Sequence, residues 1–117
     1  ETRSGKPIRY WDVEFSGKRD EMTAATVKGG PRKKIYSGLL VENLVQSTAR
    51  CCFGEMLIKA EAAGLPVCLH VHDSITVEVA ESEGQAALDL LVSIMSEAPA
   101  WAEGLPLAAE GEIRRHY

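Results

Sequence analysis

Leu65-Pro-Val-Cys-Leu-His-Val-His-Asp-Ser-Ile-Thr-Val-Glu-Val79 decides the fold of this 117-residue chain. Two β-rich runs, about residues 66–72 and 75–80, meet across a tight turn, which is the pattern of a hairpin. Alternation sends Val67, Leu69 and Val71 to one face of the first run and Cys68, His70 and His72 to the other. Asp73 falls at the turn. A hairpin points its tip residue in a fixed direction, and acids carried by loops on a rigid scaffold often bear function. The plainer reading of a single Asp in a turn is local turn chemistry.

Upstream, Val41, Leu44, Val45, Ala49, Cys52, Phe53, Met56, Leu57 and Ala60 follow helical spacing. Ser37 suits the N-cap, and Gly64 can end the helix in a left-handed conformation ahead of Pro66. About residues 38–63 therefore read as one helix of roughly 39 Å, at 1.5 Å per residue. Downstream, Ser82-Glu-Gly-Gln85 resembles a capping box opening a second helix over about residues 83–97. Ala87, Leu88, Leu91, Ile94 and Met95 form its apolar stripe. Leu105–Glu110 reads as a last strand, because Pro106 and Gly111 break its helix potential.

Before the long helix, residues 7–15 partly alternate and read as a strand, Ser16–Asp20 as a turn, and Met22–Val27 as a return strand. Lys28–Lys34 reads as a flexible basic loop without phosphate-loop spacing. The order β-β-α-β-β-α-β predicts an α+β fold, a mainly antiparallel sheet with two helices packed on one face.

An apolar fraction of 45% with 26% charged residues is that of a globular chain. At this length it is one small domain or a piece of a larger one. No apolar run nears the roughly 18 residues of a membrane span, and the polar start has no signal-peptide pattern. Three cysteines, with Cys51 and Cys52 adjacent, fit reduced thiols in core-like contexts of a cytoplasmic protein better than a disulfide framework. The net charge of −4 hides an asymmetry. Residues 1–35 carry nine Lys or Arg against five Asp or Glu; residues 36–117 carry four against twelve. Such a basic arm beside an acidic body suits an approach to phosphates, and it equally suits an ordinary solvated surface.

Three blocks in this order and spacing resemble the C-terminal part of family A DNA polymerases, the bacteriophage type in particular. They are Tyr36–Arg50 (Tyr-Ser-Gly-Leu-Leu-Val-Glu-Asn-Leu-Val-Gln-Ser-Thr-Ala-Arg), Val67–Val79, and Ala98–Gly111 (Ala-Pro-Ala-Trp-Ala-Glu-Gly-Leu-Pro-Leu-Ala-Ala-Glu-Gly). A looser likeness, Ser4-Gly-Lys-Pro-Ile-Arg-Tyr10, extends the resemblance over nearly the whole chain. The resemblance implies a palm-like fold in which residues 66–80 are the hairpin of motif C. It assigns Asp73 as one of two carboxylates that bind catalytic magnesium, with His72 near the primer end. Hard cations take carboxylate oxygens, and magnesium usually draws one or two from the protein. Gln46 matches a family glutamine that touches the minor groove of the primer–template DNA, where an amide can read an acceptor pattern. Glu42 and Asn43, one turn earlier, are further duplex candidates. Arg50, one turn later, is a phosphate candidate, with a solvated arginine as the plainer alternative.

Two departures stand out. Ser74 replaces the Glu that usually follows the motif C aspartate. Motifs A and B, which supply the second metal-binding Asp and the nucleotide-binding helix, do not occur before residue 36. Residues 1–117 thus read as one partial domain, a C-terminal palm fragment with a basic arm over 1–35, and as inactive alone. Three alternatives stay open: one part of a split polymerase whose second chain supplies motifs A and B, a non-catalytic prophage remnant or nucleic-acid-binding protein, and a small metal-binding protein using His70, His72 and Asp73. Apolar surface exposed by such a fragment predicts a homo-oligomer.

Overall fold

The computed structural model describes residues 2–16 and 21–116; of the turn read over Ser16–Asp20, Ser16 ends the first strand and residues 17–20 lie outside the described residues. The fold is α+β, with two antiparallel sheets and two helices. The chain forms two compact units, Glu1–Ala49 and Arg50–Tyr117.

In the first unit, β1 (Trp11–Ser16), β2 (Glu21–Ala25) and β3 (Arg32–Ile35) form an antiparallel sheet in that order. The third strand corrects the reading of Lys28–Lys34 as a flexible loop. Gly29 takes φ +73° and the Gly30 amide donates to the Val27 carbonyl at 3.0 Å, which turns the chain back onto β2. Charge then pairs across the strands. Arg32 reaches Glu14 at 3.1 Å and donates to the Thr23 hydroxyl at 2.8 Å. Lys34 meets Glu21 at 2.8 Å, and its hydrogen bond, then its charge, hold that carboxyl below the usual carboxylate range. Lys34 and Glu21 lie on neighbouring strands, where opposite charges stabilise a sheet, and Arg32 reaches across β2 to Glu14 of β1, so these basic side chains serve the sheet. Ala24 and Ala25 are fully buried and Ile35 nearly so.

Helix α1 (Ser37–Ala62) starts at the residue read as its N-cap. Val41 and Val45, read as part of its apolar stripe, are 59% and 60% exposed, whereas Cys52, Phe53, Met56 and Ala60 are buried. Its end is a Schellman motif: the Leu65 amide donates to the Ala60 carbonyl at 3.0 Å and the Gly64 amide to the Glu61 carbonyl at 3.0 Å. Gly64 takes φ +82°. A side chain is disfavoured in that conformation by about 1–2 kcal/mol, so Gly64→Ala is expected to destabilise the chain by about 1 kcal/mol, read as a lower urea midpoint. An unchanged midpoint would show that this cap contributes nothing to stability.

In the second unit, α1 packs with the hairpin β4 (Val67–Val71) and β5 (Ser74–Val77) and with α2 (Gly84–Ser96). Cys52, Phe53, Met56, Ala60, Leu65, Ala87, Leu91 and Ile94 form the core, with Val67, Ile75 and Val77 of the hairpin packed against it. The strands therefore divide into two sheets instead of one. The capping box does not form. Ser82 lies inside a 3₁₀ turn, Glu81–Glu83, and no side chain caps α2; Gln85 bonds Asp89 along the helix at 2.8 Å. The last strand does not form either. Residues 105–114 carry no regular structure, Pro106 has no amide to donate, and Leu107 packs on the core instead of joining a ladder. Gly111 passes so close to α2 that a β-carbon there would lie 2.5 Å from the Leu88 side chain. All three cysteines are free; Cys68, read as core, is exposed. Burial, helped by the neighbouring Cys51 and Glu55, pushes the Cys52 thiol up. No helix among the described residues is long and apolar enough to cross a membrane.

Candidate functional site

The hairpin forms where the sequence puts it, with one change of geometry. Val67 pairs with Val77, but Leu69 pairs with Thr76, His70 with Ile75 and Val71 with Ser74. Cys68 is the extra residue, a bulge, and its thiol donates to the Thr76 carbonyl at 3.4 Å. A bulge shifts the alternation by one residue. Beyond Cys68 the two faces are therefore exchanged relative to strict alternation. His70, paired with the half-buried Ile75, lies on the helix side of the ribbon but is itself exposed there. Leu69 and Val71 turn outward, 38% and 41% exposed. The imidazole of His70 meets the ring of Phe53 in a T-shaped contact, with centroids 5.9 Å apart and planes at 66°. The guanidinium of Arg50 lies 5.6 Å from the same ring. Contacts of the first kind contribute about 0.5–1.5 kcal/mol beyond area burial.

His72 and Asp73 form the two-residue turn. His72 adopts φ +53°, the left-handed value that a tight hairpin turn requires and that a non-glycine residue adopts at some cost. Ser74 closes the turn, its hydroxyl donating to the Val71 carbonyl at 2.8 Å. This gives the residue that departs from the family pattern a local structural role. Asp73 is exposed at the tip.

The other candidates divide between structure and surface. Asn43 donates from its side-chain amide to the Tyr10 hydroxyl at 2.8 Å, a partly buried bond within the first unit. Gln46 is exposed and donates to the carboxylate of Glu42, one turn before it, at 3.1 Å. Arg50 is exposed and engaged with Phe53. Sequence reasoning did not single out Phe53 beyond the core stripe, and the residue types give no sign that it touches His70: the contact depends on the bulge.

Among the described residues no group of three or more His, Cys, Asp and Glu side chains is placed to hold a metal ion. His70 is turned onto Phe53 instead of toward a shared ligand site with His72 and Asp73. Asp73 supplies a single carboxylate, one of the one or two that magnesium usually draws from a protein, and no cluster among the described residues adds further ligands to it.

Comparison with known proteins gives one informative likeness. The chain is 42% identical over 86 residues to a DNA polymerase of Bacillus phage SP02. The match takes in 74% of this chain and 13% of that protein, so the chain spans about an eighth of its length. No family model matches the chain, and no solved structure matches it.

Proposed function

We propose that this chain is a palm segment of a family A, phage-type DNA polymerase, and that its hairpin is motif C. The observation that carries the reading is the exposed Asp73 at the tip of a two-residue turn, in a chain similar to a phage DNA polymerase over 86 residues. In this reading Asp73 gives one carboxylate to a magnesium site that residues outside this chain complete. Magnesium in such a site supplies charge stabilisation for nucleotidyl transfer. What this chain contributes is placement. The β4–β5 ladder and the Ser74 bond fix the turn, and the turn presents an unburied anionic oxygen. His72, next to it in the turn, would lie by the primer end.

Gln46 and Glu42 offer an exposed amide and carboxylate on one face of α1, and we assign them to the minor groove of the primer–template duplex. Asn43 supports that face through Tyr10 instead of reaching the duplex itself. Arg50, exposed with its guanidinium 5.6 Å from the Phe53 ring, is assigned to a phosphate.

The test has two arms. The 117-residue chain alone, with one carboxylate at the turn, is expected to show no magnesium-dependent primer extension and only weak, salt-sensitive DNA binding. A chimera in which residues 1–117 replace the matching segment of the phage SP02 polymerase is expected to extend primers. Synthesis by the isolated chain would overturn the partial-site reading, and a folded but inert chimera would overturn the polymerase reading.

A further inference from the structure

We infer that His70 is a positioning residue: through Phe53 it fixes the direction in which the hairpin presents Asp73. The inference rests on the polymerase reading only for its consequence in synthesis; the contact itself belongs to this chain.

The hairpin is short. Its strands have five and four residues and form a sheet of their own, and a two-stranded ribbon of that size is marginal without backing. Its backing is therefore what sets the tip. Val67 and Val77 lie at the base, on the core. The His70–Ile75 pair is the last before Val71–Ser74, which closes the turn. Ile75 packs on the core and His70 meets the Phe53 ring edge to face, so this pair is where the ribbon is last held from the helix side.

The Cys68 bulge makes that contact. With strict alternation from Val67, His70 would face away from the core and Leu69 toward it. The bulge places a directional ring contact three residues before the turn acid, where an aliphatic side chain would leave the ribbon freer to rock. Phe53 is itself fixed: it is 6% exposed within the core, with Arg50 near its ring. The chain of contact runs from the α1 core through Phe53 and His70 to the turn.

The experiment measures amide exchange at Val71 and Ser74, the terminal pair of the ladder, in the full 117-residue chain. His70→Ala is expected to speed exchange there roughly tenfold, the effect of losing one aromatic pair. His70→Phe keeps a ring at the same position and is expected to restore the original rate. In a Phe53→Leu background the same His70→Ala change should alter exchange by less than about twofold, because the partner is already gone. Exchange at the parent rate in His70→Ala, or no rescue by His70→Phe, would overturn the positioning role.

The SP02 chimera then reads the consequence. His70→Ala is expected to lower kcat by about tenfold or more with KM for primer–template nearly unchanged, as misplacement of a reacting group does. His70→Phe should recover kcat. An unchanged kcat in a chimera whose turn has loosened would overturn the link to Asp73. A chimera inert even with His70 intact would sink the polymerase reading and leave the exchange result standing.

Discussion

Phe53→Ala is expected to unfold most of the Arg50–Tyr117 unit's margin of stability, lowering it by about 3–5 kcal/mol. The residue is 6% exposed and sits among Cys52, Met56, Ala60, Leu65, Ala87, Leu91 and Ile94. Several of those neighbours are small, and a core relaxes only partially around the space a phenyl ring leaves. The cost then includes the cavity as well as the lost transfer energy. Two further contacts go with the ring, the edge-to-face pairing with His70 and the Arg50 guanidinium. Domains of this kind are stable by only about 5–15 kcal/mol in total. The chain has two tryptophans, and they report on different units: Trp11 lies in the first, and Trp101, whose indole donates to Glu55, in the second. With Trp11 replaced by Phe, the urea transition of Trp101 fluorescence isolates the second unit. Phe53→Leu, which keeps most of the volume, should cost less than about 1.5 kcal/mol. A loss below about 0.5 kcal/mol for Phe53→Ala, no larger than a typical surface change, would mean that the ring is not a core element.

The hairpin was legible because two signals agree there. Val67–Val79 is rich in β-branched residues, and His72-Asp73 interrupts it with residue types that tolerate a left-handed turn. The end of α1 was legible for the same reason, Gly64 and Pro66 both marking it. The bulge was not legible. Cys68 is neither a glycine nor a break in the alternation, and Leu69 and Val71 look like ordinary inward residues until the register is known. Strand β3 was hidden by its charge. Only Ile35 is apolar, and the strand is held by Arg32 and Lys34 pairing with Glu14 and Glu21, partners that sequence spacing does not match up. The segment after Trp101 failed differently. Pro106 and Gly111 do break its helix potential, yet the same breaks suit an irregular segment, and Leu107 packs on the core without joining a ladder. At the site, the position of Asp73 follows from turn chemistry alone, while the support behind it through His70 and Phe53 needs three dimensions.

Asp73→Asn is expected to abolish primer extension in the SP02 chimera, by about a thousandfold or more, while leaving the fold intact. The two side chains have nearly the same shape, so what changes is charge. A hard divalent cation is held by anionic oxygens, and the carboxamide offers a neutral one. A catalytic metal contributes several kcal/mol of charge stabilisation in the transition state, and about 4 kcal/mol corresponds to a thousandfold in rate. Stability should not follow. Asp73 is exposed at a turn whose closing hydrogen bond belongs to Ser74 and Val71, and surface substitutions away from such features stay within about ±0.5 kcal/mol. The two measurements therefore separate, with thermal unfolding of the 117-residue chain unchanged and chimera turnover lost. Ser74→Glu offers the complementary change, because it restores the second carboxylate of the family pattern beside the first. It is expected to lower the magnesium concentration needed for half-maximal synthesis, at the cost of the Ser74–Val71 bond that closes the turn. Full activity in Asp73→Asn would show that the turn acid does not serve the metal, and the assignment of this hairpin as motif C would fall with it.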